Sequence, residues 1–439
     1  MADKQDRVIF HCDCNGFFAS VEALDNPALR DVPMAVAGSP ESRRGIVLAK
    51  NELAKQCGIY TTQTVWQARK MCPSLVLVPP RHGRYQEVSR QVNQVYDRFT
   101  DMVEPASIDE SFLDVTASLA YFEKSPRHLA DMVRDQVRRD VGVTISVGVS
   151  YCKIFAKMGS DLKKPDATTL ITRENYQSLL WPLPVGNMLF AGKRTVDKLN
   201  AHGIFTIGDL ARAREDALTY MLGKAGAMLH RYANGVDDSP VLRRGEMPAP
   251  KSVGNGKTFA HNLTAMEEIT PALSALSDEA AARLREGGQM CQGVQLSIKS
   301  PDLQVISRQP RLQAPTWLHK EILDAALALL TANWQPGAPI RALTVTAEQL
   351  VTADEAQRMP EQISFLDALA PGAGQPPAPV PGEPSLAEGA FCPLAARQKR
   401  AKMEKLEETI QRIRAKHGED SVGLGFGEGY EVPDNNLPF

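Results

Sequence analysis

Asp109 and Glu110 stand side by side in the run Ser107-Ile108-Asp109-Glu110-Ser111-Phe112-Leu113-Asp114, where two carboxylates interrupt an apolar strand pattern. Neighbouring strand residues point to opposite faces, so at least one of the pair would enter a core unless a turn or a cation accommodates it. Taken by itself, the octapeptide reads as a surface turn with two solvated acids. Asp13, however, ends a second apolar run, residues 8–12, and is followed by Gly16, Phe17 and Phe18. Three carboxylates on adjacent strand ends would form an all-oxygen site suited to Mg²⁺, which keeps several waters and binds through a few carboxylates together with substrate phosphates. That combination predicts phosphate chemistry. A zinc site from His11, Cys12 and Cys14 fails on geometry, because three ligands so close along one strand cannot wrap a tetrahedral ion. These three are read as packing residues.

The elements that must position the acids follow from periodicity. Residues 8–12 fit a short buried strand that passes into a helix marked by Phe18, Val21 and Leu24. Residues 33–37 and 45–49 read as strands and 52–57 as a short helix stopped by Gly58. Leu129, Met132, Val133 and Val137 mark one helix face, and Val143, Ile145, Val147 and Val149 alternate as a strand does. The fold class expected is α+β, because the strands after Pro105 lie too close together for a βαβ crossover between each pair.

Residues 173–234 read as short helices broken at Pro182, Pro184, Gly192, Gly203 and Gly208, and cations exceed acids in the wider stretch from Tyr151 to Asn234. Residues 251–350 read as a second α+β block, with helices at 272–285 and 317–333 and strands at 293–298 and 340–347. Residues 368–389 are rich in Pro, Gly and Ala, as a linker is. Residues 397–416 then form a charged helix with Met403, Leu406, Ile410 and Ile413 at helical spacing. No internal repeat is evident.

With 439 residues, 43% hydrophobic and 23% charged, the chain has globular composition and room for two to four domains, which excludes collagen, mucin or wholly disordered classes. No run approaches the ~18 apolar residues of a membrane span, and the opening MADKQDRVIF lacks a signal peptide's apolar stretch, so a cytoplasmic protein with no membrane partner is expected. Seven cysteines without a CxxC pair, at 12, 14, 57, 72, 152, 291 and 392, are read as reduced thiols. Fifty Lys and Arg against 52 Asp and Glu give no global sign of a nucleic-acid partner.

The motifs HCDCNGFFASVE, GIVLAKNELAKQCGI, EPASIDESFLDVT and VGVSYCKIFAKMGSDLKKPDA resemble, in order and spacing, the successive signatures of the Y-family, or translesion, DNA polymerases, on the bacterial branch of the Gram-positive type. The resemblance covers about the first 350 residues and, more weakly, the tail. It implies a multidomain right hand: palm at 1–16 and 84–172, fingers at 17–83, thumb at 173–240, little finger at 250–350, and a clamp-binding motif, flexible linker and charged tail helix within 351–439.

By the same resemblance, Asp13 and Asp109 bind two Mg²⁺ ions, Glu110 binds the ion that activates the primer 3′-hydroxyl, and the carbonyl of Cys14 completes the nucleotide-side ion. Phe18 matches the steric gate that excludes a ribose 2′-hydroxyl and, with Phe17, belongs to the nucleotide pocket; Lys164 matches the triphosphate lysine. Lys55 falls where many members carry an arginine, so the charge is kept and bidentate orientation is not. Two further departures are Glu52, where many relatives have a triphosphate-binding tyrosine, and Asn15, where many have Asp. Residues 187–210 resemble a phosphate-holding helix-hairpin-helix, and Gln362, Phe365 and Leu366 resemble a sliding-clamp motif. The partners implied are primer-template DNA, deoxynucleoside triphosphates and the clamp, and a monomer is expected. Retention of the three acids argues against a catalytically silent paralogue serving as a DNA-bound scaffold. The blocks after the palm argue against a nucleotide cyclase with a similar sheet.

Overall fold

The apolar run near the N-terminus becomes strand β1 (Ile9–Cys14), and all six of its residues are buried. They are buried because β6 (Glu110–Asp114) and β7 (Ile145–Ser150) pair with it antiparallel on either side. The computed structural model describes residues 6–39, 45–358, 393–418 and 421–422. Within it β1 is the middle of a five-stranded sheet ordered β5-β6-β1-β7-β8, with β5 (Val103–Pro105) and β8 (Thr168–Leu170) at the edges.

Both faces of this sheet are covered. Helices α4 (His82–Tyr96) and α6 (Pro126–Asp140) bring Tyr85, Val88, Val92, Leu129, Val133 and Val137 into one core with Phe10, Cys12, Val147 and Val149. Helix α7 (Lys153–Leu162) covers the other face, where Ala156 packs with Ile9. The alternation in residues 143–149 suggests a strand with one wet face, yet every residue of β7 is buried, since a central strand is screened on both sides. The strand spacing also underrates crossovers. β6 and β7, both antiparallel to β1, run parallel through α6, and β7 runs parallel to β8 through α7, which starts three residues after β7 ends.

Residues between β1 and α4 add helix α1 (Phe17–Asp25) and a three-stranded sheet, β3-β2-β4, from β2 (Met34–Ala37), β3 (Val47–Lys50) and β4 (Val76–Val78). Two short helices, α2 (Glu52–Gln56) and α3 (Val65–Met71), bury Ala54 and Ala68 with Ala35, Val47 and Ile59. After α5 (Ser118–Phe122) and the strands above, five short helices follow: α8 (Tyr176–Leu180), α9 (Lys193–Asn200), α10 (Ile207–Arg212), α11 (Glu215–Leu222) and α12 (Lys224–Ala233). Their shared core includes Leu180, Leu199, Leu210, Leu218 and Leu229.

A second compact unit begins at Ala249. Its sheet is ordered β11-β10-β13-β9, from β9 (Ser252–Leu263), β10 (Gln289–Lys299), β11 (Val305–Arg308) and β13 (Ile340–Thr352), and β12 (Arg311–Thr316) also pairs with β10. Helices α13 (Met266–Glu286) and α14 (His319–Asn333) bury Leu273, Leu276, Ile322 and Leu330 with its side chains. β9 escapes an apolar reading because Gly254 and Gly256 occupy the positions opposite Thr346 and Thr344. α13 starts six residues before the sequence suggests and carries Pro271 inside it. Burial of Ile269 and Ala272 on either side of the proline outweighs the lost helical bond.

The tail helix (Pro393–His417) packs on this unit through a polar face rather than the expected apolar stripe. Leu406 and Ile413 are exposed, whereas Glu407 is buried. Gln362, Phe365, Leu366 and the Pro/Gly-rich stretch lie outside the described residues.

Candidate active site

Register places the acids. Asp13 lies directly opposite Glu110 across the β1–β6 ladder, and like charges so placed repel unless something neutralises them. Asp109 sits in the turn just before β6, its carboxylate accepting from Ser107 Oγ at 2.7 Å, while its carbonyl accepts from Cys14 N–H at 3.0 Å. The two accommodations foreseen for adjacent acids are thus divided between them: a turn takes Asp109, and cations take Glu110.

The cations come from α7 and the loop behind it. A Cβ on Gly148 would lie 1.8 Å from Ala156 O, so only glycine lets α7 rest directly on β7. That close approach carries Lys157 over the acids: Nζ donates to Glu110 Oε1 at 2.8 Å and Asp13 Oδ2 at 3.3 Å, and pairs with Asp161 at 3.1 Å. All three ammonium donors of Lys157 have partners, and its side chain is 15% exposed. Lys164 Nζ reaches Asp13 Oδ2 at 2.8 Å and Asp161 Oδ1 at 2.9 Å, and its side chain is 30% exposed.

The electrostatics split the acid pair. Burial pushes the Asp13 carboxyl up to about 6 despite the two lysines. Glu110 is held well below the ordinary carboxylate range by His11 and Lys157, with His11 Nε2 3.7 Å from its Oε2, an ion-pair rather than a hydrogen-bond distance. Burial alone would lower Lys157, but Glu110, Asp13 and Asp161 hold it above its usual range.

Phe18 is placed by Gly16, which adopts φ +53° where a Cβ would approach Lys50 O at 3.1 Å and which starts α1 beside β3. The half-buried Phe18 ring stacks on Tyr85, centroids 4.1 Å apart and planes 13° from parallel. Tyr85 Oη donates to Glu22 Oε1 at 2.6 Å, and Arg81 grips the same carboxylate at 2.7–3.1 Å, so the ring has a fixed backing. Phe17 and Cys14 are buried in the core, which leaves their main chains rather than side chains to meet a ligand. Lys55 stands on α2, exposed, paired with Glu52 at 3.3 Å rather than with the acids.

Sequence reasoning missed Lys157 and Asp161. The signal was present, since Lys157, Asp161 and Lys164 follow i, i+4 and i, i+3 spacing, but this spacing ordinarily denotes a solvated helix face. Among the described residues no trio of acidic, His or Cys side chains already converges as a metal cage. Asp13 and Glu110 converge instead on ammonium groups. Acids outnumber lysines here, and every side-chain donor is a hard carboxylate oxygen, the chemistry of a Mg²⁺ site.

Comparison with known proteins bears on this geometry. Residues 12–161 match the impB/mucB/samB family, and residues 250–361 match its C-terminal domain. The chain is 41% identical over 421 residues to a DNA polymerase IV of Acetivibrio thermocellus, covering 95% of this chain and 97% of that protein. It is 36% identical over 361 residues to DNA polymerase IV 1 of Bacillus subtilis, covering 82% and 86%. Among solved structures, a Y-family DNA polymerase chimera superposes with a TM-score of 0.70 at 25% identity, over 79% of this chain and 99% of that one.

Proposed function

This chain belongs to the impB/mucB/samB family, the Y-family DNA polymerases, and from that premise we propose that it extends a primer 3′ end by two-metal phosphoryl transfer at Asp13, Asp109 and Glu110. As a family member it is a DNA-directed DNA polymerase of the translesion type, with palm, fingers, thumb and little finger. Our domain assignment puts the palm at 1–16 and 84–172, the fingers at 17–83, the thumb at 173–240 and the little finger at 250–350.

The observation that carries the mechanism is Asp13 facing Glu110 on paired strands, with Asp109 beside them and more carboxylates than lysines around them. The three acids and the Cys14 carbonyl would hold two Mg²⁺ ions. Bound there, the ions supply a lowered pKa at the attacking hydroxyl and charge neutralisation at the leaving pyrophosphate. The chain's own residues do the positioning. Lys157, with every donor engaged, keeps Glu110 aligned. Lys164, less buried and with a donor to spare, is free to exchange Asp13 for a triphosphate oxygen. Lys55, at the position of the family's arginine, would add a further positive charge for the triphosphate. Phe18, backed by Tyr85, takes the deoxyribose and collides with a 2′-hydroxyl.

Low fidelity follows from the fingers, whose two short helices offer little surface to test base-pair shape. The thumb's α9–α10 turn would hold a DNA phosphate, and Gln362, Phe365 and Leu366 would dock on a sliding clamp. The test is templated single-nucleotide extension by the full chain. Asp109→Ala or Glu110→Ala should abolish extension while primer-template affinity, which rests on phosphate contacts elsewhere, stays within about threefold. Full-rate extension by either variant would sink the assignment.

A further inference from the structure

Asn15 follows β1 directly, and both polar atoms of its side chain are engaged. Its Nδ2 donates to Ser146 Oγ at 2.9 Å, and its Oδ1 accepts from Thr144 Oγ1 at 3.1 Å and from the backbone N–H of Asp166 at 2.8 Å. Its own N–H donates to Thr144 O at 2.9 Å, and its carbonyl accepts from Ser20 Oγ of α1 at 2.6 Å. One residue therefore joins the catalytic strand, the entry to β7, the helix that carries Phe18 and the turn after Lys164.

That turn needs holding. Asp166 sits at φ +54°, a left-handed conformation that non-glycine residues adopt infrequently. From the side opposite Asn15 it is gripped by α6: Arg134 donates to its carbonyl and, at 2.8 Å, to its Oδ1, and Arg138 pairs with its other carboxylate oxygen. Held on both sides, the turn delivers Lys164 Nζ to within 2.8 Å of Asp13.

We infer that Asn15 is a positioning residue for the nucleotide: it fixes the Lys164–Asp166 turn so that the Lys164 ammonium stands beside the acids, ready to take a triphosphate oxygen. The inference rests on the reading above that Lys164 binds the triphosphate. The demand on residue 15 is for an oxygen that accepts twice and a second atom facing Ser146, whose hydroxyl can either accept or donate. Aspartate meets that demand with Ser146 as the donor, whereas alanine removes all three bonds.

The test is a double-mutant cycle on the full chain, reading the nucleotide dissociation constant and the maximal rate in single-turnover extension of a primer-template. Lys164→Ala should weaken deoxynucleotide binding about tenfold, the size of one lost charged hydrogen bond. Asn15→Ala should weaken it about fivefold with the maximal rate within about threefold, and Asn15→Asp should restore parental binding. The double variant should bind no more weakly than Lys164→Ala alone, because both changes remove one interaction. Unchanged binding by Lys164→Ala would overturn the triphosphate reading. A normal Lys164→Ala defect that Asn15→Ala multiplies, or Asn15→Ala with parental affinity, would overturn the positioning role alone. If the alanine variant is too unstable to purify, Asn15→Ser, too short to span Asp166 and Ser146 together, carries the same cycle with the same outcomes.

Discussion

Asp13 of β1 and Glu407 of the tail helix are equally inaccessible carboxylates, 6% and 5% exposed, in separate units of the protein. Glu407 has Arg285 Nη1 at 2.5 Å and the His319 N–H at 3.1 Å, and the neighbouring acid, Asp278, has its own Arg414 at 2.6 Å. Acids and guanidiniums there are equal in number, and a guanidinium, always charged and forked, is a permanent partner. Around Asp13 the acids are in excess, and their partners are ammonium groups, point charges that another cation can replace. A buried carboxylate with a matched arginine is architecture; one left in excess beside lysines has room for an incoming cation and a phosphate, the role we propose for Asp13. The same contrast explains why the tail helix docks through Arg400, Glu407 and Arg414 while Leu406 and Ile413 face solvent.

The contrast breaks if the two acids respond alike to mutation. Asp13→Asn should cut primer extension at least ~1,000-fold and leave the melting temperature of the metal-free protein unchanged or raised, since it relieves a like-charge pair. Glu407→Ala should do the reverse. It strands Arg285, so it should cost the second unit about 3 kcal/mol, seen as lost exchange protection in the tail helix and α13, with single-nucleotide insertion on short primers within about twofold. A drop in chemistry from Glu407→Ala equal to that from Asp13→Asn would erase the distinction.

Phe18→Ala sharpens the picture of the first site. With the ring gone from its Tyr85 backing, ribonucleotide exclusion should fall about 100-fold while deoxynucleotide use falls a few fold, measured by competition between the two sugars. Unchanged selectivity would return Phe18 to the role of a packing residue.

Smaller is a pH effect at the site with excess acids. Asp13 titrates near 6 when folded and near 3.8 when free, so between those values the folded, metal-free protein binds the extra proton and its stability falls as pH rises. Glu110, shifted down, acts below about 4.5 and in the opposite sense, while Glu407, shifted up by burial, and His11, His82 and His319, shifted down by burial, titrate within pH 4.5–6.5 in parent and variant alike. The melting temperature of the parent relative to that of Asp13→Asn should therefore fall as pH rises across that window. The smallest effect on chemistry belongs to the alanine triple at Gln362, Phe365 and Leu366. Clamp stimulation should vanish while distributive extension of short primers is unchanged, because tethering raises effective concentration only.

The sequence by itself determined the acids and the elements bearing them. A carboxylate at the end of an apolar strand and a second pair interrupting another are visible from residue type and period-two spacing, and four ordered motifs placed them in a family. It also determined α6 and most of α14, whose apolar faces recur at helical spacing. Tertiary structure alone decided the rest. That Asp13 faces Glu110 depends on β1 lying between β6 and β7, a pairing between strands about 100 residues apart that no local period records. Lys157 became a partner of both acids only because Gly148 lets α7 touch the sheet, and Asn15 a bracket only because β7 and the Asp166 turn return to it. The tail helix turned its charged side inward because Arg285 and Asp278 wait there to be matched. Local pattern reports which face of an element is apolar; which charges meet is settled by long-range contacts, where burial makes pairing compulsory.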